Sequence, residues 1–284
     1  MAIRIAFSSL AYPHLQLPEL VKRVKMFRVD GLELRVSDDG IHLKPVYPVP
    51  RDVIELVETS GVKIPIVSGY ATFSHSDPAY LLRNMKLAKT LVYIAHALGA
   101  FGVRVVIGKT SGVNVVDSLT RALRTINDLS HYAETYNVML LVETHDDFAN
   151  PNYLLKLVDL LGDNVGLVYD VANVMMAGGR HDQVFPAIYR KVKHVHLKDY
   201  VVCNGVVRYT EPGKGLVPIC QVVEDLVKAG YDNYVSVEWE KLWHPELEDS
   251  DTMIPRYVDY IRRCVKNTSE SEEPSVPLLK GNYF

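Results

Sequence analysis

Short apolar runs alternate with longer segments of helical periodicity along most of the 284 residues of this chain. A run of about four to eight apolar or alternating residues predicts a strand, whereas apolar residues spaced near 3.6 predict an amphipathic helix. The stretch 165–200 contains an apolar run ending at Asp170, a helical segment, and a second apolar run that includes His196. It therefore predicts two parallel strands joined by a crossover helix. The other predicted strands are 3–10, 30–36, 64–70, 103–107, 138–143 and 234–240.

A helical segment follows each predicted strand, and Gly61 and Gly99 mark the ends of two of these helices. The helical segments are 19–27, 52–60, 79–98, 115–136, 153–161, about 181–190, 217–229 and about 253–265. Eight strands alternating with eight helices indicate a single-domain α/β fold, the (β/α)8 TIM barrel, over residues 1–266. A doubly wound open sheet is the alternative, but no GxGxxG or Walker sequence supports it.

Residues 267–284 follow the predicted barrel and differ from it in composition. Their first half is rich in Ser, Glu and Pro, and their end is apolar. This pattern predicts an extended tail, or one whose apolar end docks on the same subunit or on a neighbour.

The composition is that of an ordinary globular protein, with 48% apolar and 23% charged residues. A net charge of −3 and the lack of a long basic run disfavour nucleic acid as a partner. No apolar run approaches the roughly 18 residues of a membrane span, and the N-terminus has no signal-peptide layout. The three cysteines, Cys203, Cys220 and Cys264, are scattered and odd in number, so we expect three thiols and a cytoplasmic location.

Residues able to bind a metal lie where the last four predicted strands end. The carboxyl ends of barrel strands form the active-site rim, so side chains there converge. Three carboxylates and one imidazole suit Mn²⁺, Mg²⁺, Co²⁺ or Zn²⁺, with positions left for substrate oxygens. Glu240 shares the side of Glu238 but lies farther beyond the rim, so Glu238 is preferred. The candidate metal ligands are Glu143, Asp170, His196 and Glu238.

Each of these residues also has a structural interpretation when it is taken alone. Glu143 can be an ion-pair partner inside the barrel, and Asp170 a helix N-cap. His196 can be a hydrogen-bonded core histidine, and Glu238 can lie on the solvent rim. Their occurrence on four successive strands, at the same end of each, favours the metal site.

Further polar residues near this rim are candidate substrate contacts. Glu33 alternates with leucines in the second predicted strand, which indicates an inner face that is not simply apolar. Lys198 lies two residues after His196 and so points to the same side, where it can stabilise an oxyanion or pair with a rim carboxylate. His145 and Asn173 complete the set.

The segments around the four ligands are Leu-Val-Glu-Thr-His, Val-Tyr-Asp-Val-Ala-Asn, His-Val-His-Leu-Lys-Asp and Ser-Val-Glu-Trp-Glu. This order of ligands resembles the xylose isomerase-like TIM barrels, and within them the sugar phosphate isomerase/epimerase group. That group includes ketose 3-epimerases, hydroxypyruvate isomerase and inosose isomerases or dehydratases. The resemblance covers nearly the whole chain. It implies that Glu143, Asp170, His196 and Glu238 bind the metal, that Glu33 lines the substrate pocket, and that residues 212–215 form the Pro-Gly-x-Gly loop.

The sequence departs from this group at Asn173. Many of its epimerases have a histidine at that position, and an amide neither titrates near neutrality nor binds zinc well. The AP-endonuclease branch also needs extra histidines on the early strands and an Asp-x-His pair after strand seven, which this chain lacks. A DNA-repair nuclease is therefore disfavoured.

The resemblance implies a divalent-metal-dependent isomerase or epimerase of a small sugar, sugar phosphate or related hydroxy-carbonyl compound. The reaction would be proton transfer by Glu143 and Glu238 through a metal-stabilised enediolate. The alternatives are dehydration of a cyclic polyol or dehydroshikimate-like acid, an AP-endonuclease-like phosphodiesterase, and a non-catalytic sugar-binding barrel. The expected partner is a carbohydrate, and a homo-oligomer is possible.

Overall fold

Eight parallel strands close into a barrel in the computed structural model, which describes residues 3–110 and 114–271. β1 pairs with β2 on one side and with β10 on the other, so the sheet has no free edge. The predicted (β/α)8 barrel is confirmed, and the doubly wound open sheet is wrong. The barrel strands are β1 (Arg4–Ser8), β2 (Gly31–Arg35), β3 (Ile66–Thr72), β4 (Gly102–Val106), β5 (Met139–Glu143), β6 (Val165–Asp170), β7 (Val192–Leu197) and β10 (Tyr234–Val237).

Helices surround the barrel, and the main hydrophobic core lies between them and the strands. Gly61 and Gly99 follow helices at φ of 71° and 70°, the left-handed conformation that ends a helix, as predicted. The α-helices among the described residues are α1 (Leu17–Phe27), α2 (Arg51–Ser60), α3 (Pro78–Ala97), α4 (Val115–Glu134), α5 (Pro151–Leu157), α6 (Val171–Met176), α7 (His181–Ile188), α8 (Ile219–Lys228) and α9 (Ser250–Ser271).

The interior of the barrel changes from apolar to polar along the strands. Ile66, Leu141 and Val168 form a small apolar cluster inside it. Side chains alternate between the two faces of a strand, so the residues two positions further on also point inward. In β5 and β6 those residues are Glu143 and Asp170, both buried. The strand pattern therefore places polar groups above an apolar floor.

Two elements beyond the predicted ones follow the later strands. α6 begins directly after β6, and a hairpin of β8 (Asp199–Cys203) and β9 (Val206–Thr210) follows β7. The hairpin turn is Asn204-Gly205, with φ of 52° and 77°; an Asn-Gly pair favours such a turn. This turn signal lies in the sequence, although the hairpin is not among the predicted elements.

The last helix is longer than predicted. α9 runs from Ser250 to Ser271 and so includes the first five residues of the predicted tail, 267–271. The rest of that tail, 272–284, lies outside the described residues. No helix within the described part of the chain combines the length and apolar character needed to cross a membrane.

The expectation of three thiols is wrong. Cys220 of α8 and Cys264 of α9 form a disulfide with Cα atoms 5.0 Å apart, and Cys203 is a free, exposed thiol at the end of β8. The paired cysteines are 44 positions apart, and the segment between them includes β10. Their proximity arises from the packing of α8 against α9, which spacing along the chain does not reveal.

Candidate metal centre at the carboxyl ends of the strands

Four strands bring the predicted metal ligands together at one end of the barrel. Asp170 lies opposite His196 where β6 pairs with β7, Glu143 ends β5, and Glu238 directly follows β10. One donor atom from each of the four residues lies within 4.8 Å of all the others. Nδ1 of His196 is 3.2 Å from Glu143 Oε1, 3.3 Å from Glu238 Oε1 and 3.7 Å from Asp170 Oδ2.

Glu33 of β2 contacts the other ring nitrogen of His196. Nε2 of His196 is 3.1 Å from both oxygens of Glu33, which also accepts from Ser68 Oγ at 2.5 Å. Burial opposes the charged form of Glu33, but His196 and His194 outweigh it and hold the pKa of Glu33 well below its ordinary value. Since the carboxylate can only accept, His196 donates from Nε2 and turns Nδ1 toward the other carboxylates.

His194 lies beside the same carboxylate. Its Nε2 is 3.1 Å from Glu33 and 2.8 Å from Ser236 Oγ, while its buried Nδ1 has no hydrogen-bond partner among the described residues. Burial lowers the pKa of His194, so this ring stays neutral near neutral pH. Glu33 is therefore fixed by a serine and two imidazoles.

Arg104 of β4 holds one oxygen of Glu143. Its Nε and Nη2 lie 2.7 and 2.5 Å from Glu143 Oε2, on the side away from His196. Burial opposes the charge of Glu143, but Arg104 and His196 outweigh it and lower its pKa to about 2. Glu143 is thus an anion with Oε1 directed toward the centre of the cluster.

Lys198 holds the opposite side of the cluster. Its buried Nζ is 2.7 Å from Asp170 Oδ2, 2.6 Å from Glu238 Oε2 and 2.6 Å from Glu240 Oε1. Burial disfavours the ammonium, but the carboxylates outweigh it and raise the pKa of Lys198 well above its ordinary value. Burial likewise opposes the charge of Glu238, and His196 and Lys198 hold its pKa well below the ordinary range.

The donor set fits a divalent cation. Five buried or nearly buried carboxylates meet only two obligate cations, Arg104 and Lys198. Burial disfavours imidazolium, but Glu238 and Glu33 outweigh it and raise the pKa of His196 well above its ordinary value. The cluster therefore attracts positive charge at the position that Nδ1 of His196 faces. Three carboxylate oxygens and one imidazole nitrogen suit Mn²⁺, Mg²⁺, Co²⁺ or Zn²⁺.

A cavity of about 390 Å³ opens above the cluster. Tyr70 and Trp243 form an edge-to-face aromatic pair at its wall, with ring centroids 6.3 Å apart. Arg35 donates from Nε to the Tyr70 hydroxyl at 2.7 Å and also pairs with Asp39. The lining includes Ser8, Glu33, Arg35, Tyr70, Arg104, Glu143, His145, Lys198, Glu238, Glu240 and Trp243.

The structure brings three of the four predicted substrate contacts to this cavity. Glu33, His145 and Lys198 line it, although Glu33 and Lys198 are engaged with protein partners. Asn173 is not among the described lining residues; it lies in α6, where its backbone N–H donates to Asp170 Oδ1 at 2.8 Å. Its side-chain Nδ2 has no hydrogen-bond partner in the described part of the chain.

Three further residues lie in the site. The pattern of polar residues at strand ends does not predict Arg104 or His194, and it favours Glu238 over Glu240. Arg104 is a charged residue within an apolar strand, at an inward position, and this signal was available. His194 precedes His196 by two residues and so shares its face. Glu240 lies beyond the end of β10, and the long side chain of Lys198 extends to it and so links it to the site.

This chain is similar to known proteins in both sequence and structure. The chain is 23% identical to the uncharacterized protein MJ1311 of Methanocaldococcus jannaschii, over 95% of this chain and 94% of that protein. It is 21% identical to inosose dehydratase of Lacticaseibacillus casei, over 85% and 91%.

Solved structures share the fold. L-ribulose 3-epimerase matches with a TM-score of 0.78 and 14% identity, over 97% of this chain and all of that one. The IOLI protein with a bound zinc atom matches with a TM-score of 0.73 and 19% identity, over 95% and 97%. The model of the family described as xylose isomerase-like TIM barrel matches residues 21–264. This chain belongs to the xylose isomerase-like TIM barrel family.

Proposed function

We propose that this protein is a divalent-metal-dependent isomerase or epimerase of a small sugar, sugar phosphate or related hydroxy-carbonyl compound. The observation that carries the proposal is the convergence of Glu143, Asp170, His196 and Glu238, of which Glu143 and Glu238 line a cavity of about 390 Å³. A cavity of this size accommodates a small carbohydrate. The family and the relatives described above, which include an epimerase and a dehydratase, support an enzyme of this class.

These four residues would hold the cation through Glu143 Oε1, Asp170 Oδ2, His196 Nδ1 and Glu238 Oε1. A bound divalent cation supplies Lewis acidity, which makes the C–H bond beside a substrate carbonyl more acidic. Glu33 would keep the His196 ring in the tautomer that presents Nδ1.

Glu143 and Glu238 would transfer the proton. One carboxylate removes it from the carbon beside the carbonyl, and the same or the other carboxylate returns it to a different carbon or face. Arg104 and His196 keep the pKa of Glu143 low, and His196 and Lys198 do so for Glu238, so each carboxylate is a weak base. The acidity of the substrate must therefore provide most of the driving force.

Polar groups on the cavity wall would orient the substrate. Lys198 has donors near the carboxylates and would stabilise negative charge on a substrate oxygen. His145, whose side chain is 41% exposed, would contact a hydroxyl group. The unpartnered Nδ2 of Asn173 would donate to a substrate oxygen at the edge of the site.

The test is metal analysis of the purified protein, followed by proton–deuterium exchange in heavy water with a panel of free and phosphorylated ketoses. We expect about one Mn²⁺, Mg²⁺, Co²⁺ or Zn²⁺ per chain and exchange at the carbon beside the carbonyl of at least one ketose. If the protein binds none of these four cations, the proposal is wrong.

Dehydration of a cyclic polyol or dehydroshikimate-like acid is the second candidate. Lys198 favours it, because a buried ammonium 2.6 Å from Glu238 would stabilise the negative charge that develops on a departing hydroxyl group, and the proton that Glu143 or Glu238 removes would complete the water molecule. The similarity to an inosose dehydratase supports it too. Elimination of water would produce an ultraviolet-absorbing enone. Proton–deuterium exchange without elimination would not produce this enone.

A further inference from the structure

Lys198 contacts two of the proposed metal ligands and one carboxylate outside that set. Its Nζ lies 2.7 Å from Asp170 Oδ2 and 2.6 Å from Glu238 Oε2, and also 2.6 Å from Glu240 Oε1. The lysine side chain is only 2% exposed, so these carboxylates provide the main compensation for its charge.

Glu240 is fixed independently of the proposed metal ligands. Its Oε1 accepts from the Tyr209 hydroxyl at 2.9 Å, and Tyr209 belongs to β9 of the hairpin. The Tyr209 ring also lies beneath Lys198, with Nζ 5.8 Å from the ring centroid, within cation–π range. Glu240 and Tyr209 together form a second binding place for the ammonium, which we call the Glu240–Tyr209 seat.

An ammonium and a divalent cation cannot both bind Asp170 and Glu238 at full strength. Lys198 already contacts Asp170 Oδ2, which is also a proposed ligand atom, and two cations so close repel each other strongly. Lysine carries its charge on a flexible four-carbon stem, so a small rotation can withdraw Nζ from these two carboxylates. The seat would let it do so without losing all compensation for its buried charge.

We propose that Lys198 is an exchangeable internal counter-cation that competes with the divalent cation for Asp170 and Glu238, and that Glu240 and Tyr209 hold it when the cation binds. The inference rests on the metal site of the proposed function. Glu240 and Tyr209 are then positioning residues for Lys198, and they strengthen metal binding although neither is a ligand.

The test is a titration with Mn²⁺, in which electron paramagnetic resonance measures the free ion. Lys198→Met removes the competitor and should tighten Mn²⁺ binding by about tenfold or more. Glu240→Gln weakens the seat and should loosen binding by about tenfold, because Lys198 then stays on Asp170 and Glu238. Tyr209→Phe changes no charge but frees Glu240, so it should loosen binding by a smaller factor.

A double variant separates this competition from a simple effect of charge. In the Lys198→Met background, Glu240→Gln should change the Mn²⁺ affinity by less than about twofold, since no ammonium remains to be held. If Glu240 acts only through its own charge, the change would match that in the wild type. The exposed residues Glu58, in α2, and Lys214 provide controls: Glu58→Gln and Lys214→Met make the same charge changes and should leave the affinity unaltered.

Failure of this inference is distinguishable from failure of the metal site itself. If wild-type protein does not bind Mn²⁺, the proposed function and the inference are both wrong. If wild-type protein binds Mn²⁺ but Glu240→Gln and Tyr209→Phe do not lower the Mn²⁺ affinity, only the inference is wrong. Should Lys198→Met not fold, the charge-neutral Tyr209→Phe variant decides, because its loosening of Mn²⁺ binding supports the seat and an unchanged affinity overturns it.

Discussion

Glu33 and His196, which lie 163 residues apart in the chain, meet inside the barrel with Nε2 of the imidazole 3.1 Å from both carboxylate oxygens. This pair fixes the direction of the ring, and Nδ1 therefore faces Glu143, Asp170 and Glu238. A carboxylate behind a metal-binding histidine orients the ring and raises its basicity. The predicted role of Glu33 in substrate binding remains a prediction, and the geometry adds this orienting role.

Substitution of Glu33 by Gln should weaken metal binding by about 10–100-fold, because the ring loses its charged acceptor. The measurement is the Mn²⁺ dissociation constant of the variant against that of the wild type. Glu246→Gln, an exposed carboxylate in the loop after β10, is the control for the loss of one negative charge. An unchanged affinity in Glu33→Gln would show that the ring does not depend on this contact.

The combined substitution Glu143→Gln and Glu238→Gln should lower kcat by at least about 10²–10⁴-fold, since it removes both proposed proton carriers. Circular dichroism should show that the barrel still folds, because the amides retain the shape of the side chains. The exchange assay in heavy water gives the rate once a substrate is found. Full turnover by the double variant would refute the two-carboxylate scheme.

The metal-free protein should lose stability as the pH falls from about 4.5 to about 2. The pKa of Glu143 is about 2 in the folded protein against an ordinary value of 4.5, and those of Glu33 and Glu238 are also lowered. A group with a lowered folded-state pKa stabilises the fold above its unfolded-state pKa, and this contribution vanishes as pH falls through the folded-state value.

Urea unfolding in the presence of a chelator, at several pH values across this window, measures the loss of stability. The Glu143→Gln variant should show a shallower dependence, since its side chain does not titrate. Equal slopes for the variant and the wild type would mean that Glu143 is not held as an anion by Arg104 and His196.

Reduction of the Cys220–Cys264 disulfide should lower the free energy of unfolding by about 2–4 kcal/mol, because the bond closes a long loop in the unfolded chain. Thermal unfolding with and without a reductant measures this effect. The paired variant Cys220→Ser and Cys264→Ser should have a lowered Tm that no longer responds to the reductant. Cys203→Ser removes only the exposed thiol and should behave as the wild type.

The alternation of side chains within each strand made the barrel predictable and indicated that the candidate metal ligands lie on its inner face. Period-two patterning assigns Glu143, Asp170 and His196 to the inward face, and the parallel order of the strands places them at one end. These are local properties of the chain. Donor atoms of the four predicted ligands converge, and a second convergent group, Glu33, His194 and His196, is not among the predicted ligand sets.

The partners of those ligands depend on tertiary structure. Arg104 meets Glu143 across two neighbouring strands, and Lys198 reaches Glu240 from β7 to the loop after β10. Strand register and the closing of the barrel set these distances, and the local periodicity of the chain does not reveal them.

Local periodicity in the sequence is enough to tell which residues face the barrel interior, because side-chain direction follows from the strand period. The contacts between charged groups arise in the folded barrel, which turns Glu33 toward His196, holds Lys198 between the candidate metal ligands and Glu240, and joins Cys220 to Cys264. Each of these contacts joins segments far apart in the chain, so its geometry exists only once the barrel has closed.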